Sequence, residues 1–167
     1  MKTNKLSWFA NVETRPHPWP GLNWLTTALC VTDVQKAVNF YTGAMDMIAI
    51  SELDGENGEL LFARIRYRGT NFVINKEQWD SDAYSPETTH QQPPFIFYLY
   101  VDDVHALVGK MKAAGATVLM EATKQFWGDL KARLKDPFGY YWDIAQKMID
   151  PQQMAGYQKA NITHYRG

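Results

Sequence analysis

Residues 26–34 read Thr-Thr-Ala-Leu-Cys-Val-Thr-Asp-Val, and residues 96–104 read Ile-Phe-Tyr-Leu-Tyr-Val-Asp-Asp-Val. A shift of 70 positions superposes the two, pairing Leu29 with Leu99, Val31 with Val101, Asp33 with Asp103 and Val34 with Val104. The same shift pairs Val38 with Val108, Ala44 with Ala114, Gly58 with Gly128, Leu60 with Leu130, Gly69 with Gly139 and Ile74 with Ile144. That is ten identities between residues 26 and 75 without a gap, where ordinary composition gives about three by chance. The chain reads as an internal duplication.

Each copy carries the same local signals. Residues 25–31 and 95–101 are rich in β-branched or aromatic residues and predict strands. Thr32-Asp33 and Asp102-Asp103 then offer N-cap oxygens. Val34, Ala37, Val38 and Tyr41 form one apolar helical stripe, and Val104, Leu107, Val108 and Met111 form another, ending at Gly115. Three strands follow in each copy. The last two are joined at Arg68-Gly69-Thr70 in the first and at Lys135-Asp136-Pro137-Phe138-Gly139 in the second. The expected fold is α+β: two tandem βαβββ units, about 23–78 and 94–147, forming curled mixed sheets around a concave cleft with helices on the outer face. Residues 1–22, with three prolines between Pro16 and Pro20, read as an N-terminal arm. Residues 79–94 read as a loop or linker, and 148–167 as a C-terminal tail.

Composition narrows the function. The 167 residues suit one domain able to bury a sizeable core. Seventeen basic and 18 acidic residues give a net charge of −1, which argues against nucleic acid and anionic membranes as partners. The single Cys30 rules out a disulfide within the chain and fits a reducing, cytoplasmic setting. No apolar run approaches the length of a membrane span. Six Trp, nine Tyr and eight Phe are the outlier; such rings build a core or line a pocket for a flat organic ligand. His17, His90, His105 and His164 are scattered and make no metal-binding pair.

With these residues in view, the sequence resembles the glyoxalase/bleomycin-resistance/dioxygenase group, the vicinal-oxygen-chelate superfamily. Val31-Thr32-Asp33-Val34, Asn39-Phe40-Tyr41 and Val101-Asp102-Asp103-Val104 carry the likeness. Phe126-Trp127-Gly128-Asp129 followed by Asp136-Pro137-Phe138-Gly139-Tyr140-Tyr141-Trp142-Asp143-Ile144-Ala145 is similar to the PhnB-like subgroup. Leu130 and Tyr140 stand where that subgroup has Arg and His. The resemblance covers about residues 23–147. It implies a divalent metal held by four side chains, one on the first and one on the last strand of each unit. Here those positions are Thr26, Val73, Ile96 and Asp143, so one competent ligand stands where about three are needed. The expectation is therefore no metal and no cofactor.

Strand alternation places Thr26, Ala28, Cys30, Asn71, Val73, Asn75, Ile96, Tyr98, Tyr100, Tyr141, Asp143 and Ala145 on the cup face. Leu29, Val31, Leu99, Val101, Trp142 and Ile144 face the helices as two cores. Tyr98, Tyr100, Phe126, Trp127, Asn75 and Asp143 are the candidate ligand-binding residues; no catalytic residue is assigned. The rings read equally as ligand platforms or as packing. Asp143 reads first as the partner of an Arg and second as a general base. Arg64 and Arg66 read first as a solvated strand face and second as anion clamps, and Cys30 as a small buried thiol. Two functions follow. One is a binder of a small aromatic or amphipathic molecule, drug-sequestering or metabolite-binding; the other is a metal-dependent lyase, isomerase or dioxygenase with a relocated site. Open sheet edges and apolar rims predict a homodimer, with the aromatic arm from Trp8 to Trp24 as the covering strand or clasp.

Overall fold

A computed structural model describes residues 15–148. The rest of the expected arm and nearly all of the expected tail lie outside the described residues. The first unit runs β1 (Ala28–Val31), α1 (Val34–Ala44), β2 (Ile48–Asp54), β3 (Leu60–Tyr67) and β4 (Thr70–Lys76). After α2 (Pro86–Thr89) the second repeats the order: β5 (Phe97–Tyr100), α3 (Val104–Ala113), β6 (Thr117–Lys124), β7 (Asp129–Lys135) and β8 (Tyr141–Lys147). Each unit is one four-stranded mixed sheet, ordered β1-β4-β3-β2 and β5-β8-β7-β6. The first strand of each runs parallel to the last, as a βαβββ unit requires. Among the described residues no helix is long and apolar enough to cross a membrane.

The caps form as expected. Asp33 accepts from Lys36 N at 2.9 Å and Asp103 from Ala106 N at 3.0 Å, so each α-helix starts one residue after its Asp. The linker is not only loop: Ser85 caps α2, Pro86 occupies its first turn, and His90 ends it in the left-handed region. Glu77 accepts from Ser85 N and from the Thr88 hydroxyl, tying this turn back to β4.

The two expected cores are one. Tyr41 of α1 sits 5.4 Å from the Phe72 ring and 5.7 Å from Trp142, bridging both sheets, and Phe72 also meets Phe97. Asp136 pins this seam. It is 2% exposed and accepts from the Tyr41 hydroxyl (2.7 Å), Trp142 Nε1 (2.8 Å), Phe138 N and Tyr140 N (both 2.9 Å). The Asp-Pro-Phe-Gly stretch is thus a turn folded around its own carboxylate, which then reaches into the other unit. Tyr140 also keeps a polar role. Its hydroxyl donates to Cys30 O and accepts from Cys30 N, both at 2.8 Å, satisfying the outer edge of β1. Burial pushes that phenol up to about 12.

The repeat is not gapless in space. Ile74 pairs with Ala63 and Ile144 with Ala132, so β3 and β7 correspond at a shift of 69 while β4 and β8 keep 70. The first hairpin turns on Arg68 and Gly69, both at positive φ, the geometry of a two-residue type I′ loop. The second turn is one residue longer. Because side chains alternate with period two, an ungapped shift sets opposite faces of β3 and β7 against each other, while the faces read for β1, β4, β5 and β8 hold.

Candidate functional site

Each sheet turns one side to the shared core and leaves the other open. On sheet 2, β7 alternates Leu130, Ala132 and Leu134 inward with Asp129, Lys131, Arg133 and Lys135 outward. The outward set pairs with Lys147, Ala145, Asp143 and Tyr141 of β8, and Asp143 pairs in turn with Tyr98 of β5. This open face is the candidate site.

Two carboxylates organise it. Asp129, 1% exposed, accepts from the Tyr98 hydroxyl at 3.0 Å, the Tyr100 hydroxyl at 2.9 Å and Trp127 Nε1 at 2.8 Å, and pairs with Lys147 at 3.1 Å. Burial raises its pKa, but the donors Tyr100, Lys147, Trp127 and Tyr98 outweigh burial and hold it below the usual carboxylate value. Tyr98 is pushed up, first by burial and then by bonding Asp129. Asp143 is buried and held by Lys131 Nζ (2.8 Å), Arg133 Nε (2.6 Å) and Arg133 Nη2 (2.9 Å). Here too burial raises the pKa and the two cations pull it below the ordinary value. Asp143 is therefore a weak base, and the pairing reading prevails over the general-base one. The Lys131 ammonium lies 5.8 Å from the centre of the Tyr98 ring and 5.7 Å from that of Trp127, bridging the two clusters.

Of the six expected ligand residues, the structure brings Tyr98, Tyr100 and Trp127 together on Asp129, with Asp143 one lysine away. Phe126 packs edge-on against Trp127 at 4.8 Å and is 66% exposed. Asn75 is elsewhere, on the open face of sheet 1 beside Cys30 and Phe62. Its Oδ1 is shut off from solvent with no hydrogen-bond partner among the described residues.

Arg64 and Arg66 also lie on the open face of sheet 1, not on a separate solvated one, since they pair with Val73 and Asn71. Arg64 donates to Asn71 Oδ1 (2.7 Å) and Arg66 to Gly21 O (3.0 Å). Asn71 also donates to Gly21 O, and Asn23 to Asn71 O, so the arm lies along this end of the face. Cys30 is half-buried, its thiol pushed up by burial and by Glu77.

Sequence reasoning missed Asp129, Lys131 and Arg133 as site residues. The signal was present: Asp-Leu-Lys-Ala-Arg-Leu-Lys is a strict polar/apolar alternation. Where the linker meets this face, a depression of about 400 Å³ is lined by Glu87, His90, Lys135 and Tyr141 among others. Among the described residues, no group of three or more His, Cys, Asp or Glu side chains could hold a metal ion.

Residues 21–144 match the model of the Glyoxalase/Bleomycin resistance protein/Dioxygenase superfamily. The chain belongs to that superfamily. An uncharacterized protein of Mycobacterium tuberculosis is 32% identical over 124 residues, covering 73% of each chain. A probable lactoylglutathione lyase of Vibrio parahaemolyticus is 30% identical over 126 residues, covering 73% of this chain and 88% of the relative. Among solved structures, an Arabidopsis thaliana gene product superposes with a TM-score of 0.61 at 24% identity, over 74% of this chain and 98% of its own. A Bacillus cereus PhnB protein, titled a putative 3-demethylubiquinone-9 3-methyltransferase, gives 0.57 at 16%, over 74% and 99%. At these identities the two structures speak for the fold alone.

Proposed function

We propose that this superfamily member binds a small aromatic or amphipathic molecule on the open face of sheet 2, without the metal that the superfamily implies. The supporting observation is the state of Asp143. At the four inherited metal positions, Thr26, Val73 and Ile96 offer an alcohol and two hydrocarbons. The remaining carboxylate is already occupied by Lys131 and Arg133. A divalent cation there would have to displace one ammonium and one guanidinium to gain a single ligand. What remains is a platform of rings whose orientations are set by hydrogen bonds to a buried carboxylate, the arrangement a flat ligand needs.

The platform works within a homodimer. Ile48 and Leu53 on one open face, and Ile96, Tyr98 and Tyr100 on the other, are each at least 37% exposed. A second copy covers such apolar surface at little cost. Sedimentation should give the mass of two chains; the mass of one at micromolar concentration removes this part of the reading.

A thermal-shift screen with planar antibiotics, quinones and CoA esters tests binding, because a ligand of the folded state raises the melting temperature. At least one planar class is expected to do so. Elemental analysis of protein purified without added metal separates the lyase reading, which the Vibrio relative's name suggests. Stoichiometric metal with two or more protein ligands would replace the present proposal.

A further inference from the structure

We propose that the ligand of the sheet 2 face is an anion: a planar aromatic ring carrying a carboxylate or similar acid group. This rests on the reading of that face as a small-molecule site. The strand register places four cations on it, Lys131, Arg133, Lys135 and Lys147, against two carboxylates, Asp129 and Asp143. Glu121, in the irregular part of β6, and Glu87, which lines the depression beside Lys135, lie at the edges of this face, so the surplus is centred where Lys131 and Arg133 share the single carboxylate of Asp143. The whole chain carries −1, so the surplus is local and its sign is opposite to that of the molecule.

The excess is also aimed. Asp143 engages Nε and Nη2 of Arg133, so Nη1 of this partly exposed guanidinium makes no hydrogen bond among the described residues. The Lys131 ammonium lies within 6 Å of both the Tyr98 and the Trp127 ring centres. Asp143 lies between Tyr98 and Arg133 in the register, so a ring stacked on Tyr98 would bring its acid group toward Arg133, with Lys135 further along the same strand. Guanidinium is the cation best suited to a carboxylate because it presents two donors in one plane. Sheet 1 repeats the sign. Its open face carries Arg64 and Arg66 from β3, while the in-phase positions of β1 and β4 are Ala28, Cys30, Asn71, Val73 and Asn75, none of them acidic; the nearest acid, Glu77 just past β4, is held by Ser85 and Thr88. In the proposed homodimer, a second copy that lays either open face on the site adds positive charge. A cationic ring would meet unfavourable charge on both sides, and a neutral one would leave the surplus uncompensated.

The test uses three probes of one shape: 1-naphthoate, 1-naphthalenemethanol and 1-naphthylmethylammonium, titrated against tryptophan fluorescence of the full chain. Naphthoate is expected to bind at least tenfold tighter than the alcohol, and the ammonium weakest. Arg133→Gln should lower naphthoate affinity about tenfold while leaving the alcohol within twofold. Asp143 keeps Lys131 in that variant. Lys135→Gln, at an exposed residue outside the Asp143 cluster, should lower naphthoate affinity less and gives an independent reading should Arg133→Gln unfold. Equal or tighter binding of the alcohol or the ammonium overturns the charge inference while the binding site stands. No binding by any of the three overturns the site and the inference together.

Discussion

Asp136 and Asp129 lie seven residues apart, at opposite ends of β7, each buried and each surrounded by four donors. They behave in opposite ways. Asp136, at the seam between the units, accepts from two side chains and two backbone amides, all neutral; burial outweighs them and its pKa is raised. Asp129, on the open face, has three neutral donors and the Lys147 ammonium, and its pKa is lowered. Donor number alone does not decide the outcome; the weight of burial against those donors does, and it is heavier at the seam. The seam is built to hold the two units together, and the open face is built to keep charge available.

Among the polar residues, removing the seam carboxylate should have the largest effect. Asp136→Ala leaves the Tyr41 hydroxyl, Trp142 Nε1 and two amides buried without an acceptor. The expected loss is about 3 kcal/mol or more in denaturant unfolding. Asp129→Ala should cost less, about 1–2 kcal/mol, because the half-exposed Tyr98 and Tyr100 can turn to water. The reverse ranking would break the contrast.

Titration sharpens it. A raised carboxylate stabilises the fold most below the ordinary value of 3.8 and loses that contribution as pH rises through its folded pKa. A lowered one contributes above 3.8 and is lost as pH falls through its folded pKa, which is the case for Asp129 and Asp143. Carboxyl ¹³C titration of the folded protein should therefore place Asp136 above 3.8 and the other two below it. Asp143→Asn should flatten the fall in stability as pH drops below that value. Asp129 or Asp143 titrating above Asp136 would contradict the assignment.

Next come the rings. Trp127→Ala and Tyr98→Ala should each weaken binding of a planar ligand about tenfold, since one aromatic pair is worth roughly 0.5–1.5 kcal/mol beyond its area. Trp127→Phe keeps a ring but removes the bond to Asp129, and should cost about 1 kcal/mol of stability. Unchanged affinity in both alanine variants would return the rings to a packing role.

Much of this architecture is legible in the sequence, for definite reasons. Asp33 and Asp103 announce their helices because a short carboxylate reaches its own third amide. The duplication shows because both copies need the same residues at the same bends. Two things were hidden. Ser85-Pro86 is an N-cap followed by the residue best suited to a first turn, yet it lies in a proline-rich stretch that reads as a linker. The longer second hairpin hides the faces of β3 and β7, because an ungapped shift sets Ala63 against Arg133 when Arg64 is its true counterpart. One residue in a turn thus concealed that both open faces carry arginine at the same place.

Of two phenylalanines one gives the smallest effect, and the other supplies its contrast. Phe138 follows Pro137 at the seam, is 5% exposed, and packs within 6 Å of both Phe40 and Tyr41. Its truncation to alanine should cost about 3–5 kcal/mol, the usual range for a buried ring. Phe126 stands in the turn before β7, 66% exposed, with Trp127 as its aromatic neighbour. Phe126→Ala should change the unfolding free energy by less than about 0.5 kcal/mol, because most of this residue's surface stays in water on folding. Measuring both variants in denaturant at two protein concentrations makes the comparison decisive. A loss above 1 kcal/mol at Phe126 that grows with concentration would mean a second copy covers the ring, moving it from the site to the interface. A small, concentration-independent change leaves it free to close over a ligand, and its loss should then be felt in binding and not in folding.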